Sequence, residues 1–510
     1  MSLLLGIDLG TTGVKCLVIN ERGKLLAKAS EEYQLYSPKP GWAEQDPNAW
    51  WDAVLKGVRH VINTDKVLPK DIEGLAVSGQ MHGSVFLDKN NQVIRPPILW
   101  CDTRTEKQCR EITKRVGEKR LYDLVSNFSF EGFTAPKVLW LKENEPRNYA
   151  RLRTLLLPKD YIVYRMTGVL TTDVSDAAGT LLFDVRNRRW SQEMLKVLDI
   201  DGEVLPSVLE STDVVSEINE EVARATGLPK NIKVVAGGAD NTCSAVGNGI
   251  IEEGLVSFSI GSSGVVFAHT DSVKQDTAGR VHAFNHSIPN KWYVMGVMLS
   301  AGLSLTWFRE SFGELERSVQ SLSGLDSYGI LSCEASLAPA GSEGLLFLPY
   351  LNGERTPHRN AKARGVFFGI SRSHKKGHFI RAIMEGVCFG LRDCLEIIEG
   401  LGIQTQQVRI TGGGAKSELW RQIQADVLNK EVVTTSIDEG PAFGAALLAG
   451  VGCRVYEDVG EAVDYAVRIA TGAEPIDENV GIYDALYPIF GSLYESVKGE
   501  YDMISRVTDS

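Results

Sequence analysis

The sequence predicts an α/β protein made of two loosely duplicated halves that face each other across a cleft. Three observations lead there. The first is a glycine-flanked turn between apolar strands, Asp8-Leu9-Gly10-Thr11-Thr12-Gly13-Val14, which returns as Ser259-Ile260-Gly261-Ser262-Ser263-Gly264-Val265 at an offset of 259 − 8 = 251 residues. The second is that each half closes on an apolar strand, a glycine cluster and a helix: Val234 to Asn241 around Gly237-Gly238, and Val408 to Ala415 around Gly412-Gly413-Gly414. Matched to each other, these two closures stand only 412 − 237 = 175 residues apart, so the duplication is loose. The third is length, since 510 residues of ordinary globular composition suffice for two cores.

Leu3 to Asp8 reads as the first strand and Val14 to Ile19 as the second. The turn between them offers two hydroxyls, Thr11 and Thr12, and free backbone N–H groups, a cradle suited to phosphate oxygens. Asp8 just before it suits a Mg²⁺ ion held through water, and Lys15 just after it adds positive charge. A plain hairpin fits the same residues, and the GxxxxGK[ST] loop is absent. In the second copy Ser259 replaces Asp8, so the metal is expected with the first half and phosphate alone with the second.

Asp46-Pro47 caps a helix through Trp50 and Trp51. The strand Gly74 to Val77 leads to Gln80-Met81-His82, polar groups beside an apolar wall, as a polyol pocket needs; a histidine satisfied within the core is the alternative. Gly237-Gly238 lets the chain turn sharply, which puts Asp240 at a strand's carboxyl end facing a crevice, although an Asp capping a helix from Thr242 fits too. Gly412, Gly413 and Gly414 leave bare backbone where a flat adenine ring can lie, or where a helix packs tightly. Gly440 to Ala446 is a helix of small residues made for close approach, and Leu486, Phe490, Leu493, Val497 and Tyr501 mark a docked amphipathic tail helix.

Charge and cysteine content exclude several classes. A net charge of −11 without a long basic run argues against a nucleic-acid or anionic-membrane surface. The eight cysteines show neither CxxC nor Cys/His spacing, so no zinc site is expected, and a reducing cytosol fits. The amino-terminal residues lack a signal-peptide pattern, and the stretch Gly440 to Cys453 falls short of the ~18 apolar residues a membrane span needs.

Asp8-x-Gly10-Thr11-Thr12, Gly261 to Gly264 and Gly412 to Gly414 resemble the phosphate and adenosine loops of the sugar-kinase, actin and chaperone ATPase superfamily. Within it, Gly132 to Trp140 and Arg364 to Ile370, running on to His378, Ala382 and Glu385, resemble the FGGY carbohydrate kinases. The segments 78–83, 98–104, 157–161, 176–180 and 353–358 are similar to the branch of that family that acts on xylulose, with Ala239 and Cys101 as small departures.

The resemblance implies two ribonuclease H-like domains of the actin/hexokinase type: 1–248 with the sugar site, first phosphate loop and catalytic Asp; 249–475 with the second phosphate loop and adenosine site; and 476–510 as the docked helix. It implies ATP and Mg²⁺ as cofactors and phosphorylation of D-xylulose at its 5-hydroxyl. Asp240 is then the general base, and Met81, His82, Asp240, Asn241 and Arg104 form the sugar site. Thr11, Thr12, Gly13, Lys15, Gly261, Ser262, Ser263, Gly412, Gly413 and Gly414 hold nucleotide, and Asp8 holds the metal. The partners are a sugar and ATP, with no nucleic acid or membrane and with a homodimer left open; a cytoplasmic enzyme is expected. Two rivals stand beside this: an actin-like or chaperone ATPase, which needs no sugar pocket, and an FGGY kinase for ribulose, glycerol or gluconate.

Overall fold

The computed structural model describes residues 2–437 and 439–508. Two sheets organise them. The first holds β1 (Leu3–Leu9), β2 (Gly13–Asn20), β3 (Leu25–Glu32), β4 (Ile72–Gly79), β5 (Val214–Glu217) and β6 (Lys233–Ala239), in the order β5-β6-β4-β1-β2-β3. The second holds β7 (Leu255–Ile260), β8 (Gly264–Thr270), β9 (His282–Asn285), β10 (Trp292–Met298), β11 (Gln407–Gly412), β12 (Val432–Thr435) and β13 (Ile469–Ala473), in the order β9-β10-β8-β7-β11-β12-β13.

Pairing sense repeats with the order. β1/β2 and β7/β8 are antiparallel, β1/β4 and β7/β11 parallel, β4/β6 and β11/β12 parallel, and the edge pairs β6/β5 and β12/β13 antiparallel. The duplication expected from the two turns is therefore present, with β9 added at one edge of the second sheet. One detail of the expectation is corrected. By position in the sheet, the Gly412 strand β11 is the counterpart of β4, and the partner of the Gly237 strand β6 is β12. The 175-residue offset arose from matching two strands that are not equivalent.

β1 is apolar on both faces because both are covered, the pattern of a central strand in an α/β sheet. Leu3, Leu5, Ile7 and Leu9 share a core with α1 (Pro47–Ile62), whose buried Trp50 and Val54 face them, and Asp46 caps that helix by accepting from the Asn48 N–H at 2.9 Å. Leu4, pointing the other way, joins a second cluster with α5 (Gly440–Gly452).

That helix and α2 (Asp240–Gly247), which follow the equivalent strands β12 and β6, lie against each other. A Cβ built on Gly444 would fall 1.7 Å from the Cys243 carbonyl oxygen, and one on Gly247 would fall 2.3 Å from that of Gly440. Only glycine permits this approach, so the small-residue run of 440–446 is where the two halves meet.

The last helix, α6 (Asp477–Thr508), buries Tyr483, Phe490, Leu493 and Tyr501 in the core of the second sheet's domain, with Leu486 and Val497 packed at its border. Among the described residues no helix is long and apolar enough to cross a membrane, and none of the eight cysteines is in a disulfide.

Candidate active site

Asp240 sits where β6 gives way to α2, so both sequence readings of it describe one place. Gly237 makes the turn possible: its φ is +68°, and a Cβ there would lie 2.0 Å from the Val77 carbonyl oxygen on β4. Asp240 is the first helical residue, not the cap, which is Ala239. Its Oδ1 accepts from the Asn241 backbone N–H at 2.7 Å and from the Asn241 side-chain Nδ2 at 3.1 Å, while no hydrogen bond reaches Oδ2 among the described residues.

Burial raises the Asp240 carboxyl from its ordinary 3.8 to about 7, with the Asp8 carboxylate adding to the rise and the Asn241 N–H opposing it. A helix amino terminus favours a carboxylate by only about 0.3–1 kcal/mol, less than one pKa unit, so desolvation and the neighbouring charge prevail here.

Asp240 and Asn241 form the wall shared by two cavities. The first, about 230 Å³, is also lined by Met81, His82, Trp100, Phe133 and Arg355, polar groups set among apolar ones. His82 stands just past the end of β4 with φ +66°. Its Nδ1 lies 2.6 Å from the Gly179 carbonyl oxygen. Only an N–H can pair with that oxygen, so Nδ1 carries the proton and Nε2 presents a lone pair.

Burial, helped by the charge of Lys137, drives the His82 ring down to about 3, so it is neutral at physiological pH. Its backbone carbonyl is fixed by the Thr134 hydroxyl at 3.0 Å and the Lys137 ammonium at 2.9 Å. The Asn241 amide reaches Met81 Sδ at 3.6 Å, joining the two predicted sugar-site segments.

The second cavity, about 360 Å³, is lined by Lys15, Asn248, Ser259, Gly412, Gly413 and Lys416 besides Asp240 and Asn241. The amino termini of α2 and α5 both open into it, at Asp240 and Gly440. Two lysines and two helix amino termini make this a site for an anion. Lys15 is held beside it by Glu439 at 3.2 Å.

Asp8 belongs to the same region. Burial lifts its carboxyl to about 6 against the pull of Lys15, and its Oδ1 is buried without a hydrogen-bond partner. An orphaned carboxylate oxygen beside an anion site fits a hard divalent cation that keeps most of its waters. Among the described residues no group of three or more His, Cys, Asp or Glu side chains is placed to hold a metal ion.

The first hydroxyl-glycine turn is braced from the side of the first cavity. Trp100 Nε1 donates to Thr11 Oγ1 at 2.9 Å, Gln45 Nε2 to the Thr11 carbonyl at 2.6 Å, and Gln80 Nε2 to the Gly10 carbonyl at 3.3 Å. Thr12 is exposed at its tip. Gly13 pairs with β3 so closely that a Cβ would lie 2.6 Å from the Glu31 carbonyl oxygen.

A third cavity, about 680 Å³, continues past Gly413 and Lys416 and is lined by Gly261, Ser262 and Gly414 with the apolar Leu305, Met384 and Trp420. With polar and apolar side chains and bare glycine backbone in its lining, it suits a nucleoside.

Two predicted residues lie elsewhere than expected. Ser263 lines the first cavity, with Met81 and His82, not the third, because the second turn is one residue tighter: Ile260 pairs with Gly264, whereas Leu9 pairs with Val14. Arg104 does not line the first cavity, where the sugar site is expected. Its guanidinium is bonded to Asp102 at 2.6 Å and Glu44 at 2.7 Å and lies 3.5 Å over the Trp42 ring, a buried brace for the loop carrying Trp100.

Sequence reasoning missed Trp100, Phe133 and Arg355 as lining residues. Arg355 lies within the quoted segment 353–358, and an arginine in a loop of Gly and Pro was the signal. Leu305 and Tyr328 of the third cavity stand in stretches without a motif.

Residues 3–247 match the N-terminal domain of the FGGY family of carbohydrate kinases, and residues 256–453 match its C-terminal domain. A xylulose kinase of Bacillus subtilis is 41% identical over 498 residues, 98% of each chain. A crystal structure of ligand-bound xylulose kinase from Lactobacillus acidophilus has a TM-score of 0.90 at 27% identity, covering 99% of this chain and 100% of that one. A gluconate kinase structure from the same organism has a TM-score of 0.90 at 26% identity, with 99% of each chain covered, so backbone likeness alone does not choose the sugar. Two matching domains in order and a near full-length relative agree with the three joined cavities: the chain belongs to the FGGY family of carbohydrate kinases.

Proposed function

We propose that this kinase transfers the γ-phosphoryl group of Mg·ATP to the 5-hydroxyl of D-xylulose, giving D-xylulose 5-phosphate in the cytoplasm. The observation that carries the reading is the position of Asp240, a carboxylate with a free Oδ2 and a pKa of about 7 in the wall between a small polyol-sized cavity and an anion cavity. A base tuned near neutral pH suits proton removal from a hydroxyl. The near full-length relatedness to a xylulose kinase supports the choice of sugar.

Met81, His82 and Asn241 hold the sugar so that its terminal hydroxyl meets Asp240 Oδ2. Lys15, Lys416 and the N–H groups at the start of α2 and α5 neutralise phosphate charge, and Gly413 and Gly414 leave room for the adenine-bearing end. Asp8 would hold Mg²⁺, which would supply charge neutralisation at the phosphates. Phosphoryl transfer has a loose transition state, so positioning and charge supply most of the catalysis.

The test measures kcat/KM side by side for D-xylulose, D-ribulose, L-ribulose, glycerol and gluconate by coupled ADP detection, with the phosphate position read by phosphorus NMR. D-xylulose is expected to lead. Another substrate ahead by tenfold, about 1.4 kcal/mol of transition-state preference, would overturn the sugar assignment and leave the kinase.

A further inference from the structure

Arg355 lines the same cavity as His82 from the second domain, and its guanidinium has no hydrogen bond or ion pair among the described residues. The residues on either side of it are pinned. Buried Glu354 accepts from the Leu299 N–H at 2.8 Å and the Arg355 N–H at 2.7 Å. Thr356 bonds Val297 through both its N–H, at 2.9 Å, and its hydroxyl, at 3.1 Å, and donates that hydroxyl to the Arg280 carbonyl at 2.6 Å. A loop held this firmly projects the side chain, which passes 5.4 Å from the Phe130 ring that lines the same cavity.

Two unpaired groups therefore converge from the two domains. Arg355 is donor only, and His82 Nε2 is acceptor only. A ligand carrying an acceptor oxygen next to a hydroxyl complements both groups; a vicinal diol meets this with two hydroxyls, and an α-hydroxy ketone meets it with a carbonyl oxygen that leaves no proton of its own to be satisfied. A carboxylate fits less well, because His82 Nε2 would set a lone pair against its oxygens, and Glu131 and Glu354 already act on the charge of Arg355.

The chemistry of a 2-ketopentose points the same way. Its furanose ring closes through O5, so a sugar presenting a free 5-hydroxyl is open-chain and carries an exposed C2 carbonyl at its other end.

We propose that Arg355 donates to the C2 carbonyl oxygen of an open-chain ketose while His82 Nε2 accepts an adjacent hydroxyl, and that this pair selects ketoses against the corresponding alditols. This rests on the sugar-kinase reading of the same site. It also makes the substrate a bridge between the domains, one end read by each.

The test compares wild type with Arg355→Met and Arg355→Lys, using D-xylulose and xylitol as substrates, or xylitol as competitive inhibitor where its turnover is too slow. Tm and KM for ATP serve as folding controls. Losing a hydrogen bond from a charged donor should cut kcat/KM for D-xylulose by about 10- to 100-fold in Arg355→Met, mainly through KM, and narrow the ketose-to-alditol ratio by the same factor. Arg355→Lys, which keeps a charged donor, should retain part of the preference.

An equal loss for ketose and alditol, or an unchanged ratio, overturns the proposal. A wild-type preference for D-ribulose with the ratio still collapsing in Arg355→Met leaves the proposal standing and removes only the choice of xylulose. A wild-type preference for gluconate that Arg355→Met abolishes shows the guanidinium reading a carboxylate, and overturns it.

Discussion

Asp240→Asn should cost the enzyme its activity and make it more stable. The carboxyl is raised from 3.8 to about 7 by burial and by Asp8, so at neutral pH and above the folded state carries an ionised group that the unfolded chain solvates far better. The gap between 3.8 and about 7 corresponds to about 4 kcal/mol at 1.36 kcal/mol per pKa unit. Because the residue is only part-buried from the cleft side, water moderates this, and a gain of about 1–3 kcal/mol for the Asn variant is the working figure.

The sign follows from proton binding. Between pH 4 and 7 the folded wild type holds a proton that the unfolded chain has lost, so its stability falls as pH rises through that window and levels off above 7. Asn keeps an oxygen to accept from the Asn241 N–H and nothing to ionise. Urea or thermal unfolding of both proteins without nucleotide or metal, at pH 5 and pH 8, should show a small advantage for Asn at the lower pH and the full advantage at the higher. Loss of the base should lower kcat by ~10²–10⁴-fold with nucleotide affinity nearly intact. An Asn variant that is no more stable than wild type at pH 8, or that turns over normally, would refute the reasoning.

Asp8→Asn should weaken the Mg²⁺ dependence of turnover, because the orphaned Oδ1 loses its charge, and in metal-free unfolding should lower the pH window over which Asp240 costs stability, because Asp8 is one of the two causes that raise Asp240. An unchanged Mg²⁺ titration would make Asp8 structural only. Gly444→Ala places a Cβ 1.7 Å from the Cys243 carbonyl oxygen and must part α2 from α5, an overpacking cost of about 1–3 kcal/mol or more. Denaturation midpoint and kcat should fall together, since α2 begins at Asp240; wild-type behaviour in both would show that the helix contact is soft.

What the sequence determined by itself is local. The two hydroxyl-glycine turns, the Asp46-Pro47 helix start, the Gly237-Gly238 turn and the small-residue face at 440–446 are legible because backbone freedom, capping and periodicity act over a few residues, and the glycines there answer to contacts that no side chain tolerates. Lys15, Asp240 and Asn241 could be named because each adjoins such a signal, whereas Met81 and His82 stand in the segment 78–83 that carries the family resemblance.

What only the tertiary structure decided concerns partners far apart in the chain. Arg104, 1% exposed in its side chain, faces Asp102 and Glu44 and lies outside the cavity lined by Met81 and His82; Arg355 comes from the other domain to line that cavity; and β11 aligns with β4, not β6. The physical reason is common to all three. Whether an arginine is neutralised in a core or left free in a cleft, and which strand occupies which place in a sheet, depend on neighbours that folding brings together, and neither composition nor spacing carries that information.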